Sequence, residues 1–243
     1  MGPFMSPSEA AVCLVSGGLD SAVATGLTRE AGLAVYAVSF NYGQRHRIEL
    51  RAAKRVAEWA GALEHKIIRI ELDKIGGSAL TADIPVPKDA LNGACHRLRT
   101  ASTESNNETI PVTYVPARNL IFLSIAAAYA ETVGAGRIVI GANAIDYSGY
   151  PDCRADFLAA FEEAARLGTK AGREGHGPKI WAPLVAMTKA EIVKEGVRLG
   201  LNFGITSSCY DPAPDGRACG HCDSCLIRVK GFSEAGVADT GRR

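Results

Sequence analysis

The sequence predicts an α/β protein built on a parallel β-sheet, and three observations support this class. Short apolar runs alternate with longer segments of helical periodicity, the links between them are short, and a glycine pair follows the first apolar run. Strands that alternate with helices through short links form parallel sheets with right-handed crossovers. With 243 residues, of which 47% are hydrophobic and 22% charged, the chain is long enough for one large domain, with or without a small appendage.

The strands and helices follow from these patterns in chain order. Residues 10–15 are apolar and β-branched and are followed by Gly17 and Gly18, which is typical of a buried parallel strand. A helix at 20–31 and a strand at 33–40 complete the first crossover unit. The remaining elements are expected as a helix at 46–60, a strand at 67–70, a helix at 118–133, a strand at 137–140, a helix at 153–167, a strand at 179–184 and a helix at 188–199, the last opened by a capping box.

The pattern is interrupted between residues 73 and 115, where glycine, proline and asparagine are frequent and no periodicity survives. A segment of this length without regular structure is usually a functional lid or a mobile loop.

The helix at 118–133 is apolar almost all round, so we expect it in the core, with the subunit interface of a homodimer as the alternative. We divide the chain into an α/β domain at 1–200, which carries the long loop, and a C-terminal segment at 201–243, which holds four closely spaced cysteines.

Composition and charge argue against several classes of partner. The formal net charge is +1, which gives no strong basic field, so we expect no direct nucleic-acid partner. Residues 1–10 lack the basic start and apolar run of a secretory signal, and no stretch approaches the roughly 18 apolar residues of a membrane helix. We therefore expect a cytoplasmic protein that acts on small molecules and has no membrane partner.

A phosphate-binding loop is predicted at residues 16–21, where the first strand gives way to the first helix. Its two glycines let the backbone approach phosphate oxygens, and the helix N-terminus offers N–H groups with a partial positive charge. Asp20 would repel phosphate directly, so we expect it to cap the helix, to orient the loop or to contact a metal ion. The expected ATP contacts are Leu14, Val15, Ser16, Gly17, Gly18, Leu19, Asp20, Ser21 and, at the end of the second strand, Phe40, where backbone groups are candidates to read adenine.

This loop differs from a kinase-type phosphate-binding loop. The pattern G-x-x-x-x-G-K-[ST] is absent from the sequence, and with it the lysine that reaches the β- and γ-phosphates. A loop that cradles these phosphates as a leaving pyrophosphate instead suits attack at the α-phosphate. We expect ATP to bind together with Mg²⁺, which keeps several waters and takes few protein ligands.

Four cysteines near the C-terminus predict a metal site: Cys209, Cys219, Cys222 and Cys225. Four thiolates suit one tetrahedral Zn²⁺, and with every ligand taken from the protein the site is structural rather than catalytic. Two alternatives stay open. His221 could replace one cysteine, although its position inside a Cys-x-x-Cys turn directs it away from the shared ion, and an iron–sulfur cluster also uses closely spaced cysteines.

Polar segments follow the second and fourth predicted strands and precede the buried helix, at 41–46, 141–154 and 115–119. The carboxyl ends of parallel strands meet at one edge of the sheet, where open α/β sheets bind their ligands. Arg118 or Arg45 could hold a substrate carboxylate or the α-phosphate by a bidentate contact. These segments are therefore the expected substrate site.

The run Ser16-Gly17-Gly18-Leu19-Asp20-Ser21 matches the S-G-G-x-D-S signature, and on this motif the chain resembles the ATP pyrophosphatase (PP-loop) superfamily. The resemblance implies an adenine-nucleotide α-hydrolase-like, Rossmann-like fold, with a five-stranded parallel sheet flanked by helices and an adenylation step that releases pyrophosphate. Further segments resemble the 7-cyano-7-deazaguanine synthase family of queuosine biosynthesis within that superfamily, namely 42–46, 115–119, 143–154, 206–210 and 219–225.

That resemblance implies an ATP-dependent carbon–nitrogen ligase. It would convert 7-carboxy-7-deazaguanine and free ammonia to 7-cyano-7-deazaguanine, through an adenylated acid and then an adenylated amide. A deazaguanine presents two N–H donors on one edge, which an aspartate carboxylate matches, and Asp146 or Asp152 is the candidate. The expected catalytic residues are Asp20, Ser21 and Arg118. The expected substrate contacts are Tyr42, Gln44, Arg45, Asn119, Asn143, Asp146 and Asp152.

Two other functions stay open at this stage. A tRNA-thiolating enzyme of the same superfamily would use the cysteines for sulfur or cluster chemistry and would need a basic face, which the net charge of +1 disfavours. A non-catalytic zinc-ribbon module with a nucleotide site would leave the segment 143–154 without a role.

Overall fold

The computed structural model describes residues 9–45, 48–90, 110–143 and 150–241. The strands within these ranges are β1 (Ala10–Leu14), β2 (Ala34–Asn41), β3 (Glu64–Arg69), β4 (Arg137–Val139) and β5 (Lys179–Trp181). They form one five-stranded sheet in the order β3-β2-β1-β4-β5, and every pair is parallel. The strand order reverses at β1, so a ligand crevice is expected where β1 and β4 end. The parallel α/β sheet predicted from the sequence is confirmed.

The described helices are α1 (Leu19–Glu30), α2 (Ile48–Trp59), α3 (Arg118–Val133), α4 (Ala155–Gly168), α5 (Lys170–Arg173), α6 (Lys189–Arg198) and α7 (Asp223–Ala235). Each of the five helices that periodicity predicted is present, with its ends within about two residues of the expected ones. The capping box of α6 is also confirmed, with Thr188 and Glu191 exchanging side-chain and backbone hydrogen bonds. None of the helices in the described ranges is long and apolar enough to cross a membrane.

The two outer strands differ most from the sequence-based expectation. β3 begins at Glu64 rather than at residue 67, because an edge strand pairs on one side only and keeps polar and exposed side chains along its length. β5 ends at Trp181 rather than at residue 184, because it pairs with only three residues of β4. The apolar residues that follow β5 belong to a turn, in which Leu184 is fully buried.

Alternate residues of β1 face two hydrophobic cores on opposite sides of the sheet. Ala10 and Val12 pack with Leu123 of α3 on one face, whereas Ala11 and Cys13 pack with α1, α2 and α6 on the other. Burial raises the pKa of the Cys13 thiol to about 12, which makes it an inert core residue. Since β1 is covered on both faces, the loop that follows it starts from a rigid base.

Helix α3 lies in the first of these cores. Phe122, Leu123, Ala126 and Ala130 are buried, and Leu120 is the large apolar side chain of this helix that stays exposed, at 45%. The core position expected for this helix is thus confirmed. The homodimer stays a prediction.

The long segment 73–115 is described at both of its ends. The backbone N–H of Ala79 donates to the carbonyl of Val112 at 2.9 Å, which closes the base of the segment. Ser78, Ala79 and Leu80 are buried there, and no helix or strand occurs between 75 and 90. The remainder, residues 91–109, lies outside the described residues, and its role as a lid stays a prediction.

The C-terminal segment packs against both faces of the sheet. Phe203 and Phe232 meet edge to face, with ring centroids 4.8 Å apart, and join the core formed by α1, α2 and α6. Cys209, Cys222 and Cys225 join the core that contains α3. The segment is therefore integrated into the molecule, and a boundary at residue 200 stays a prediction.

Candidate active site

A pocket of about 280 Å³ opens at the carboxyl edge of the sheet. Leu14, Phe40 and Ile140 line it where β1, β2 and β4 end, as expected for a sheet of this order. Most residues that the sequence assigned to ATP or substrate line the same pocket: Leu14, Val15, Ser16, Gly18, Leu19, Asp20, Ser21, Phe40, Tyr42, Gln44, Arg118, Asn119 and Asn143. The structure thus brings residues from distant parts of the chain into one cavity.

The loop at 16–21 is held by its own hydroxyl groups. The Ser21 Oγ donates to the carbonyl of Gly18 at 3.0 Å, and the backbone N–H of Gly18 donates to the Ser16 Oγ at 3.2 Å. Gly17 has a φ of 86°, and a Cβ there would lie 2.5 Å from the backbone nitrogen of Ala53 in α2. Gly17 therefore lets α2 pack against the back of the loop, while Gly18 and the serines face the pocket.

Lys189 pairs with Asp20 at the edge of this loop, a contact that no motif in the sequence indicates. The Lys189 Nζ donates to both carboxylate oxygens of Asp20, at 2.6 and 2.7 Å. Only 12% of the lysine side chain and 29% of the aspartate side chain are exposed. The aliphatic part of the Lys189 side chain packs directly against Gly231. A Cβ at position 231 would lie only 2.3 Å from the Lys189 Cγ. The chain therefore carries a fixed lysine beside the loop at 16–21, although it lacks the kinase-type motif.

Arg118 enters the pocket from a strained turn at the start of α3. The preceding residue, Ala117, has a left-handed φ of 54°, a conformation that costs a non-glycine residue roughly 1–2 kcal/mol. The backbone N–H of Ala117 donates to the Tyr114 hydroxyl at 3.0 Å, which holds the turn. The guanidinium carbon of Arg118 lies 5.9 Å from the centre of the Tyr42 ring. Strain of this kind often marks positions that aim a functional group, here a cation that lines the pocket.

Glu49 is a second pocket residue that sequence reasoning missed. It lies in the first turn of α2 and lines the cavity together with Arg118 and Tyr42. Burial raises the pKa of the Glu49 carboxyl to about 7, although the positive charge of Arg118 opposes the shift. Burial and then the charge of Glu49 raise the pKa of Tyr42, so these groups influence one another. In the sequence, Glu49 fits the polar pattern of an amphipathic helix and carries no motif of its own.

Asp152, one of the two aspartates predicted to read the substrate edge, has a structural hydrogen bond. Its Oδ2 accepts from the backbone N–H of Asn119 at 2.9 Å, in the first turn of α3. The Asn119 side chain donates in turn to the Asp152 carbonyl and to the Cys153 Sγ, both at 3.2 Å. Burial raises the pKa of Asp152. Asn119 and Cys153 line the pocket but Asp152 does not, so Asp152 caps α3 from behind the site.

The other predicted substrate residues have varied positions. Gln44 folds back on its own loop, where its side chain accepts from the backbone N–H of Tyr42 at 2.8 Å and donates to the carbonyl of Phe40 at 3.2 Å. Asn143 donates to the carbonyl of Met187, which ties the end of β4 to the start of α6. Arg45 is exposed and donates to the carbonyl of Ile84 at 3.1 Å. Asp146 lies outside the described residues.

Aromatic rings form one wall of the pocket. The rings of Phe40 and Phe122 stack with centroids 3.9 Å apart, and Tyr42 lies against Phe122 at 5.6 Å. Tyr210 lines the same cavity from the C-terminal segment. Flat apolar walls combined with charged groups suit a heteroaromatic ligand.

The four C-terminal cysteines come together as predicted. One sulfur from each of Cys209, Cys219, Cys222 and Cys225 lies within 4.8 Å of the others. Backbone N–H groups of Asp211 and Cys219 donate to the Cys209 Sγ, at 3.4 and 3.2 Å, and those of Tyr210 and Cys222 donate to sulfurs of the cluster at 3.5 and 3.4 Å.

This donor set fits a zinc ion. Hydrogen bonds from backbone N–H groups stabilise thiolates, and four thiolates at this spacing satisfy tetrahedral zinc with no open position. His221 is not one of the grouped ligands and instead lies 3.2 Å from Asp89. The cluster is compatible with the predicted structural site.

The residues around the cluster connect it to the pocket and to the long segment. Ser207, Ser208 and Tyr210 line the pocket just before and after Cys209. On the outer side, the Lys88 Nζ lies 2.7 Å from Asp211, and the backbone N–H of Asp89 donates to the carbonyl of His221 at 2.7 Å. Residues 207–225, which we call the cysteine segment, therefore form part of the pocket wall and also hold residues 84–90 in place.

These features define the class of protein. A doubly wound parallel sheet, a glycine-rich loop between its first strand and first helix, and a polar pocket at the carboxyl edge are those of a PP-loop α/β protein.

Residues 10–236 match the family model of the queuosine biosynthesis protein QueC, and the chain belongs to this family. It is 54% identical over 232 residues to a 7-cyano-7-deazaguanine synthase from Desulfatibacillum aliphaticivorans, covering 95% of each chain. A protein of the same name from Geotalea daltonii is 55% identical over 230 residues, covering 94% of each chain. The chain is therefore an enzyme, and the resemblance drawn from its motifs is confirmed.

Solved structures match more loosely: an NMN synthetase from Francisella tularensis aligns with a TM-score of 0.44 and 20% identity, over 96% of this chain and 79% of that chain.

Proposed function

We propose that this enzyme is an ATP-dependent ligase that converts 7-carboxy-7-deazaguanine and ammonia to 7-cyano-7-deazaguanine. The observation that carries the proposal is a single pocket that holds the glycine-rich loop, the Asp20–Lys189 pair and Arg118, in a chain about 54% identical to proteins named for this product. ATP and the carboxylated base are both anionic, and a pocket with two cations beside a phosphate loop suits their meeting.

The loop at 16–21 is proposed to hold the β- and γ-phosphates as the leaving pyrophosphate. Gly18 caps α1 without a side chain, so the phosphates can approach the N–H groups of the first helical turn and the Ser16 and Ser21 hydroxyls. Lys189 adds a point charge at the same edge, and Asp20 fixes the direction of its ammonium group. Mg²⁺ would arrive bound to the phosphates and water, because both oxygens of Asp20 already accept from Lys189.

Arg118 is proposed to act at the reacting carboxylate or the α-phosphate. Its planar guanidinium can hold two oxygens at once, and its rigid position at the start of α3 limits the entropy lost on binding. Catalysis would then consist of positioning and charge stabilisation, without a covalent intermediate on the protein. Burial raises the pKa of Cys153, the cysteine that lines the pocket, to about 11, which disfavours a thiolate nucleophile there.

The proposed reaction has two adenylation steps. In the first, a carboxylate oxygen attacks the α-phosphorus of ATP and pyrophosphate leaves; ammonia then attacks the carbonyl carbon, and AMP departs with that oxygen to give the amide. In the second, the amide oxygen attacks the α-phosphorus of another ATP. Loss of the N–H protons and departure of AMP with the second oxygen leave the nitrile.

The experiment that tests this function incubates the protein with ATP, Mg²⁺, an ammonium salt and the carboxylated base. The expected result is the nitrile by mass spectrometry, with AMP and pyrophosphate in place of ADP and phosphate. AMP release that required tRNA, with no nitrile, would point to a thiolating enzyme. Absence of AMP with every acceptor would leave only a nucleotide-binding module.

A further inference from the structure

Glu49 is a carboxylate of the pocket that the proposed chemistry leaves unused. Within the described ranges its carboxylate accepts no hydrogen bond and forms no close ion pair, and burial and the charge of Arg118 are what act on it. The charge of Arg118 acts on it from nearby, and Tyr42 lies beside it. An acidic side chain without hydrogen-bond donors in a closed-in site costs free energy, so its presence points to a ligand that supplies them.

The other carboxylates near the pocket are already engaged. Both oxygens of Asp20 accept from Lys189, and the Asp152 Oδ2 accepts from the backbone of Asn119. Asp152 also lies outside the pocket lining. Among the described lining residues, Glu49 is therefore the carboxylate that accepts no hydrogen bond from the described part of the chain.

The surroundings of Glu49 narrow the kind of ligand. Tyr42 and Tyr210 line the cavity near it, and Tyr42 packs on Phe122. Aromatic side chains bind the flat faces of a heterocycle, whereas a carboxylate accepts two parallel N–H donors from its edge. This combination fits the amide-like N–H and the exocyclic amino group that a 2-aminopyrimidinone ring presents side by side.

We propose that Glu49 is the specificity-determining residue for the base, and that its carboxylate accepts the ring N–H and the exocyclic 2-amino group of the substrate. This inference rests on the proposed function and replaces Asp146 and Asp152 as the group that reads this edge. In this proposal Glu49 recognises the base. The phosphate loop, Lys189 and Arg118 do not have that role.

The test compares two bases on two proteins. One base is 7-carboxy-7-deazaguanine, and the other is the same compound with hydrogen in place of the 2-amino group. The wild-type enzyme should prefer the amino base in kcat/KM by roughly tenfold to hundredfold, the range expected for a lost hydrogen bond to a charged group. Glu49→Gln, which keeps the shape but not the double acceptor, should turn over the amino base less well and should lose most of that preference.

Two controls separate recognition from a general loss of structure. Glu58→Gln changes an exposed glutamate on the same helix and should keep the full preference for the amino base. The KM for ATP should stay close to the wild-type value in Glu49→Gln, because the phosphate contacts proposed above are the loop at 16–21 and Lys189, and the Glu49 side chain is not among them. A merely structural role would lower turnover of both bases equally and would leave their ratio unchanged.

The possible outcomes distinguish the inference from the proposed function. If the wild-type enzyme makes nitrile but Glu49→Gln keeps the full preference, then Glu49 does not read the edge and the function stands. If Glu49→Gln instead raises only the Mg²⁺ requirement, Glu49 is a metal contact and the inference is overturned. If the wild-type enzyme neither binds nor converts either base, the proposed function fails and the assignment of Glu49 fails with it.

Discussion

Lys189 reaches the loop at 16–21 from a helix that begins 169 residues after Asp20. In the proposed ATP complex, the pair would place a neutralised unit, rather than an isolated aspartate, beside the incoming phosphates. An isolated carboxylate there would repel ATP, whereas the paired one orients a cation toward it. The arrangement supplies the positive charge that the kinase-type motif would place inside the loop itself.

We predict that Lys189→Met lowers kcat/KM for ATP by about 100-fold, comparable with the loss of one preorganised charge-stabilising group. The substitution keeps the apolar stem that packs on Gly231 but leaves Asp20 unpaired next to the phosphates. The measurement is pyrophosphate release at saturating base and varied ATP.

The matched control for this prediction is Lys194→Met, at an exposed position on the same helix. It should retain wild-type kinetics. Equal kinetics for both variants would show that Lys189 serves only to hold α6 against the loop.

Glu49 also predicts a pH-dependent stability difference. Its folded pKa of about 7 lies above the ordinary glutamate value, so the folded state holds its proton more tightly than the unfolded state. The free energy of unfolding of the wild type should therefore fall relative to that of Glu49→Gln as the pH rises from about 4.5 to about 7. Above pH 7 the difference between the two proteins should stay constant. Arg118 and Tyr42, which face Glu49, keep their protonation states over this window.

The expected size of this effect is about 2–3 kcal/mol, and urea unfolding of both metal-loaded proteins at pH 5 and pH 8 measures it. Glu58→Gln serves as the exposed control on the same helix. A constant difference between wild type and Glu49→Gln at the two pH values would contradict the shifted pKa.

At the residue scale, the sequence predicted those site residues that form contiguous motifs. The loop at 16–21 and Arg118 were predicted because glycines, hydroxyls and polar runs at strand or helix ends are visible in the sequence itself. Lys189 and Glu49 were missed because each lies within an ordinary helical pattern, and only the fold brings them to the pocket. The hydrogen bond between Asp152 and the backbone of Asn119 has no signature in the sequence either, and the role of Asp152 as a substrate contact stays a prediction.

At the scale of elements, the cysteine segment and the residues at 84–90 support each other. The contact consists of the Lys88–Asp211 ion pair and the hydrogen bond from the Asp89 backbone to the His221 carbonyl. Both partners in the cysteine segment lie within two residues of a cysteine of the cluster. Their positions therefore depend on the turn that the four sulfurs close.

We predict that removing the metal accelerates hydrogen exchange at the backbone amides of Asp89, Cys219 and Cys222. Their acceptors are the His221 carbonyl and cluster sulfurs, whose positions the metal would fix. The measurement is amide hydrogen exchange followed by mass spectrometry, before and after treatment with a chelator.

The amide of Ala79 is an internal control, because it donates to the Val112 carbonyl at the base of the long segment, away from the cluster. Its exchange should stay slow. Uniform acceleration across the chain would mean global unfolding, and unchanged exchange at Asp89 would mean that the segment is held independently of the metal.

Strands and helices were predictable where the element is buried on both sides or where its apolar residues recur with a regular period. β1 and α3 met both conditions, and their positions were correct. β3 was placed three residues late because an edge strand has one open flank, so polar residues such as Glu64 and Lys66 pair in it without an apolar pattern. The long segment at 73–115 offered no period to read.

At the scale of the whole molecule, the pocket forms only when distant parts of the chain come together in the fold. Its lining comes from the ends of β1, β2 and β4, from the starts of α2, α3 and α6, and from the C-terminal segment around Tyr210. Arg228 fixes that segment, because it pairs with Asp239 at 2.7 Å and donates to Thr206 and Ser208 at 3.0 and 3.1 Å. A site assembled in this way suits the proposed reaction, in which a nucleotide and a second planar substrate bind side by side.

The two proposed adenylations predict the fate of the substrate oxygens. If both carboxylate oxygens of the base carry ¹⁸O, each AMP formed should contain one labelled oxygen, because each departs with an oxygen that was bound to the substrate carbon. Mass spectrometry of AMP after complete conversion provides the measurement, and unlabelled base in ¹⁸O-water is the control. Label found in phosphate, with ADP as the nucleotide product, would show attack at the γ-phosphorus and would contradict the role given to the loop at 16–21. Label in only half of the AMP would confine adenylation to one of the two steps.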